Sequence, residues 1–285
     1  MRALRTYLPR RPAEERAHAP RKSVEISTPV RTIRHRDGVV ELQLADGARR
    51  NVLGRSTISA IEAAVSEPPR DTRVIVITAE APDFCAGYDL REAAAGDAES
   101  LIAHESNFAA LRHSAVPVIA VLDGNVIGGG LELALAADVR LASPEMRMSI
   151  PANRLGLVYS LPGVRLLVAE LGESMTRAML LAGKVLDASE AHQAGFVSEI
   201  VERDQLAARA LELAATMAAW SPEATAGNRR VLDIAVGRIE DDAAALRRAS
   251  FRPGGSLEGS IRRFAVTRPT RFAALRRRLH LVRRS

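Results

Sequence analysis

Two short stretches hold the residues best suited to chemistry. "IGGGLEL" (127–133) sets three glycines ahead of an apolar run, with the carboxylate of Glu132 in its first turn. "DFCAGYDL" (83–90) ends a strand-like run, turns at Gly87 and opens a helix near Asp89, whose carboxylate can cap the free N–H groups there. Glycine lets a ligand come close to the backbone, and a helix N-terminus adds unpaired donors at the positive end of the dipole. Two such segments aimed at one oxygen make an oxyanion hole, in which losing one donor costs about 2.7–4 kcal/mol of transition-state stabilisation. Each segment alone is also an ordinary strand-to-helix turn. Glu132 beside the glycines is a candidate general acid/base, although the dipole alone favours an acid at a helix start.

Other chemistries lack their residues. The glycine run has neither the G-x-G-x-x-G spacing of a dinucleotide fingerprint nor the Gly-Lys-Ser/Thr of a phosphate loop. The six histidines are scattered with no metal-ligand spacing, and His113 and His192 fall in helical stretches as surface or packing residues.

The elements that must position these residues read as an α/β core followed by helices. "GVVELQLADG" alternates as a strand, and "STISAIEAAVSEPP" is a helix with Ile58, Ile61 and Val65 on one face. "RVIVITAE", "VIAVLDG" and "VRLAS" are short buried strands. The stretch from Asp89 to Pro117 is helical, broken near Gly96. From about residue 163 helices dominate: "GVRLLVAELG", "ESMTRAMLLAG", "DASEAHQAG", "RDQLAARALELAATMAAW" and "PEATAGNRRVLDIAVGRI", with one late strand, "FVSEIVE".

Composition narrows the setting. The 285 residues are 47% hydrophobic, enough for a sizeable core, with no apolar run long enough for a membrane span. The N-terminus is basic without a signal-like apolar stretch, and the single Cys85 fits a reducing cytoplasm. Charge is unevenly placed. Residues 1–36 carry ten Lys/Arg and three Glu, and residues 262–285 carry nine Arg and no acid. Between them lie 21 basic and 31 acidic residues, so an acidic body has two basic ends. Neither end interleaves aromatic residues as a base-stacking surface does, so nucleic acid is not the expected partner. Residues 1–30 are expected to be a disordered basic arm and 273–285 a basic tail.

"DFCAGYDL", "VPVIAVLDGNVIGGGLELALAADVRLAS", "PANRLGLVYSLPGVRLL" and "AGKVLDASEAHQAGFVSEIVE" together resemble the crotonase superfamily, the enoyl-CoA hydratases and isomerases. The resemblance runs over about residues 31–272. It implies an α/β fold: a spiral of ββα turns over 31–200, then a helical C-terminal region (201–272) that makes homotrimers, often paired as hexamers. It also implies an acyl-CoA thioester as substrate and no cofactor beyond the coenzyme A that the substrate carries. Carried over by position, the N–H groups of Tyr88 and Gly129 form the oxyanion hole. Ala86 and the loop Tyr88–Arg91, with Asp89 and Leu90, line the coenzyme A path, and Arg50 contacts a phosphate. The closing "RRFAVTRPTRF" covers the nucleotide.

One departure matters most. Hydratases of this family place two glutamates around the alkene, and Glu132 matches the first. The second position, after Pro151, is Ala152, and its neighbour Asn153 is neither acid nor base. The expected chemistry is therefore hydration or dehydration through one glutamate, with decarboxylation or isomerisation as alternatives. Tyr159 in "GLVYSLPG" is similar to a tyrosine of the methylmalonyl-CoA decarboxylase branch, which has histidine where Tyr88 stands. It joins Glu132 as a candidate catalytic residue. The side chain at position 88 varies in the family, so the role of Tyr88 is placed on its backbone. A reading from another class is an RNA-binding protein on the same fold, its Arg-rich ends tracking phosphates.

Overall fold

Alternating and continuous apolar runs produce two layers of sheet. The structure, a computed structural model, describes residues 29–94 and 108–236. The larger sheet has six strands in the order β1 (Val30–Arg34), β2 (Val39–Leu44), β3 (Val74–Ala79), β4 (Val118–Leu122), β6 (Val139–Ala142) and β9 (Glu199–Ile200). Within this sheet only β1 and β2 pair antiparallel; every other neighbour is parallel. Parallel strands covered on both faces need apolar side chains in both directions, which is why β3 and β4 are continuous β-branched runs. A second sheet holds β5 (Asn125–Ile127), β7 (Arg147–Ser149) and β8 (Leu186–Asp187). Single bridges, Leu53 to Tyr88 and Cys85 to Val126, extend this second layer toward the earlier turns of the chain.

After β1, the strands β2, β3, β4 and β6 each pass into a short strand or bridge and then a helix. After β2 comes α1 (Arg55–Ser66), and after β3 comes α2 (Leu90–Ala94). Next is α3 (Ala109–Arg112); β4 and β5 then lead into α4 (Gly129–Leu135). The later helices are α5 (Leu161–Ala182), α6 (Ala188–Gln193), α7 (Arg203–Ala218) and α8 (Pro222–Ala235). Ile58, Ile61 and Val65 are the buried face of α1, as their spacing predicts.

Period-two alternation divides the core. Val74, Val76, Ile119 and Val121 pack with Leu206, Ala210 and Ala214 of α7 on one face of the large sheet. Ile75, Ile77, Val118 and Ala120 turn the other way, into the core between the layers, with Leu131, Leu133 and Phe84. All seven residues of α4 are buried, so this helix is apolar all round except at Glu132.

Several boundaries differ from the sequence expectation. The two helices expected over 163–183 are both present within α5, whose start extends back to Leu161, and they part at Gly172, whose φ of 76° and ψ of 162° break the helical path. The late strand contracts to Glu199–Ile200. The arm up to residue 28, the segment 95–107 and everything after residue 236 lie outside the described residues. So do the tail 273–285 and the second half, 237–272, of the expected C-terminal helical region. Among the described residues no helix is long and apolar enough to cross a membrane.

Candidate active site

The two glycine turns meet where the second sheet gives way to helices. Cys85 N–H donates to Asn125 O and Ile127 N–H to Cys85 O, each at 3.0 Å, locking the first turn to β5. Gly87 has φ +94°, and a Cβ there would lie 2.9 Å from Ile127 O and 3.6 Å from Gly129 N. Only glycine permits both that backbone angle and that approach. On the other side, Leu53 N–H donates to Gly87 O at 2.9 Å and Asp89 N–H to Leu53 O at 3.0 Å, while Ala86 N–H donates to Arg50 O. Tyr88 is thus held between fixed neighbours. Gly128 N–H is satisfied by Ser149 O at 3.0 Å. Gly129 opens α4, where no earlier helical carbonyl is in reach of its N–H.

Glu132 is buried one turn further on, 7% exposed. Tyr88 donates its hydroxyl to Glu132 Oε2 at 2.6 Å. Tyr159 lies beside the same carboxylate, whose charge acts on it, and its hydroxyl donates to Gly128 O at 3.4 Å. Burial first, and then the Glu132 charge, push the Tyr159 hydroxyl well above its ordinary range, so it remains protonated and acts as a donor. Gly163 makes room for this group: a Cβ there would lie 2.7 Å from Tyr159 Cε1 and 3.0 Å from Glu132 Oε1. The start of α5 is set by Ser160, whose Oγ accepts from Gly163 N–H at 3.0 Å. Gly163 was not among the residues singled out from sequence. Its only signal is a glycine just after the helix-opening proline of "YSLPG".

The remaining candidates flank this centre. Asp89 accepts from Arg91 N–H at 3.0 Å, capping α2 as expected, and forms an ion pair with Arg49. Burial alone would raise its carboxyl, but the Arg91 N–H and the Arg49 guanidinium hold it below the ordinary carboxylate range. Leu90 and Arg91 are exposed and Ala86 half-buried. Arg50 binds the buried Asp83 through Nε, and Asp83 Oδ1 also accepts from Asn125 N–H at 2.8 Å and from its side-chain amide at 2.5 Å. Ala152 is buried at the start of a short 3-10 helix, Ala152–Leu155, and the adjacent Asn153 faces outward. His192 Nδ1 pairs with Val197 O at 2.8 Å, a packing role. Among the described residues no cluster of three or more His, Cys, Asp or Glu could hold a metal ion.

Known proteins are similar to this chain in both sequence and fold. A family profile described as enoyl-CoA hydratase/isomerase matches residues 34–272. The chain belongs to that family. Human mitochondrial methylglutaconyl-CoA hydratase is 30% identical over 255 residues, covering 87% of this chain and 70% of its own. The 2,3-dehydroadipyl-CoA hydratase of Escherichia coli K12 is 34% identical over 190 residues, covering 66% and 74%. A solved enoyl-CoA hydratase/isomerase family protein from Hyphomonas neptunium superposes with a TM-score of 0.76 at 28% identity, covering 85% of this chain and 96% of that one. The fold is therefore the α/β crotonase fold, and the protein is an acyl-CoA enzyme of hydratase type. In this family member the position after Pro151 carries a buried methyl group, and two tyrosines surround the carboxylate of α4.

Proposed function

We propose that the protein adds water to, or removes it from, an enoyl-CoA thioester, with Glu132 as its general acid/base. One observation carries the reading: the buried Glu132 carboxylate, accepting from the Tyr88 hydroxyl and lying beside Tyr159, sits next to the contact between the Gly87 turn and Gly129. In hydration Glu132 takes a proton from water as the water oxygen bonds to Cβ of the enoyl group. The alkene electrons move onto the thioester oxygen, where the N–H groups of Tyr88 and Gly129 hold the enolate. Glu132 then returns its proton to Cα and the thioester carbonyl re-forms. One carboxylate thus serves as base and then acid, which needs no acid at position 152.

Tyr159, held protonated beside the carboxylate, is the proposed second donor to it through both steps. Ala86, Asp89, Leu90 and Arg91 border the proposed coenzyme A path, and the exposed part of Arg50 is the proposed phosphate contact. No cofactor beyond the substrate's own coenzyme A enters these steps. We place the protein in the cytoplasm as a homotrimer or hexamer. α8 supports the assembly: it buries none of its own residues and leaves Leu232 and, just beyond its end, Val236 exposed.

The experiment is a panel of enoyl-, 3-hydroxyacyl- and malonyl-type thioesters in heavy water, including the methylglutaconyl and 2,3-dehydroadipyl compounds named for the relatives. Deuterium at Cα with oxygen at Cβ supports hydration. Turnover of malonyl-type compounds alone, with loss of carbon dioxide, replaces it with decarboxylation. The lack of an acid at Ala152 and the protonated Tyr159 next to Glu132 favour that second reading, because decarboxylation forms the enolate with no base and needs one proton donor.

A further inference from the structure

Tyr88 brings more to this site than its backbone N–H. Its ring lies against Gly129, where a Cβ would come within 2.8 Å of ring atoms Cδ2 and Cε2. Its hydroxyl reaches Glu132 Oε2 at 2.6 Å. Gly129 and Glu132 are three residues apart in α4 and so share a helix face, about one turn apart. A phenol laid along that face spans the distance from the proposed oxyanion donor to the proposed acid/base. Gly129 has no side chain to lift the ring away, and Gly163 likewise leaves space for Tyr159 and Glu132. The buried methyl of Ala152 offers the carboxylate no hydrogen bond.

We propose that the Tyr88 side chain is a positioning residue, holding the Glu132 carboxylate in the orientation that proton transfer to and from the acyl chain requires. This rests on the hydratase reading above. In that reading the backbone of Tyr88 holds the thioester oxygen while its hydroxyl holds the acid/base, so one residue sets the spacing between the two. A packing role alone would be met equally well by phenylalanine.

Tyr88→Phe in the full chain keeps the ring and the N–H and removes only the hydroxyl. With the best enoyl-CoA of the panel, kcat is expected to fall roughly 10- to 100-fold, the scale of a misplaced reacting group, with KM changed less than about threefold. The acid limb of the kcat profile is expected to move to higher pH, because the ionised carboxylate has lost a donor. A Tyr88→Phe enzyme with wild-type kcat and an unmoved profile overturns the proposal. A second readout does not depend on turnover: a carbon-13 titration of the Glu132 carboxyl, assigned by its loss in Glu132→Gln. A midpoint that rises in Tyr88→Phe supports the contact, and an unchanged one overturns it. If the wild-type protein turns over no thioester of the panel, the hydratase reading falls and the titration alone decides whether Tyr88 holds Glu132.

Discussion

At Glu132 the residue types and their contacts explain each other. A lone acid among apolar neighbours is costly to bury unless its oxygens find donors, and the Tyr88 hydroxyl supplies one. Glu132→Gln keeps the shape but removes the transferable proton. Its kcat is expected to fall about 10²- to 10⁴-fold, with a thermal midpoint close to wild type by circular dichroism. Cys85 shows the opposite use of burial. Its thiol is fully buried and pushed up to about 12, so it stays protonated although it lies next to the site. The native protein is expected to leave Cys85 unmodified by a thiol reagent until denaturant is added; rapid labelling would contradict this burial. At this scale the sequence is informative about identity and blind to direction. The GGGLE spacing marks Glu132 and the loss of the second acid is visible at Ala152, but nothing local says that the Tyr88 phenol turns toward α4.

The helices around the site are held by close backbone approach, and different glycines are expected to fail differently. A Cβ at Gly130 would lie 2.6 Å from Cys85 Cβ and 2.8 Å from Cys85 O, so α4 would have to separate from the strand layer. Gly130→Ala is expected to cost about 1–3 kcal/mol, as overpacking does, seen as a lower denaturation midpoint. A Cβ at Gly163 meets instead the ends of side chains, Ser160 Oγ, Tyr159 Cε1 and Glu132 Oε1. Gly163→Ala is therefore expected to lower kcat more than stability; a variant that loses stability but keeps kcat would contradict this. The long buried strands and α1 were legible because each holds its period over enough residues. The strands β5, β7 and β8 have two or three residues each, too few for a period to show, and only their pairing defines them.

Across the molecule, Asp83 ties together segments distant in the chain. Its carboxylate takes donors from Arg50 and Asn125, and Asn51 Nδ2 donates to its carbonyl at 2.8 Å. Burial alone would raise this carboxyl, but the Arg50 and Asn125 donors bring it below the ordinary aspartate range. A carboxyl with a lowered folded pKa contributes stability that is present above its unfolded value, near pH 4, and is lost as pH falls through the folded value. Asp83→Ala is expected to cost about 1–3 kcal/mol at neutral pH through buried donors left unpaired. Denaturant titrations below about pH 4 should then show a shallower loss of stability in the variant than in the wild type. Arg229 anchors α8 in a similar way, bonding Asp138 at 2.7 Å and Leu111 O at 2.9 Å.

What the sequence determined by itself was the family, the order of the long elements, the Glu132 carboxylate and the missing second acid. These depend on residue identity at fixed spacing and on periodicity along the chain, both of which are local. The tertiary structure alone decided that Tyr88 bonds a carboxylate 44 positions away and that Arg50 is committed to Asp83, 33 positions away. It also decided that Tyr159 turns back to Gly128, 31 positions earlier. Such contacts exist only once the ββα turns have stacked, because no local propensity orients a side chain toward a partner on another turn of the spiral.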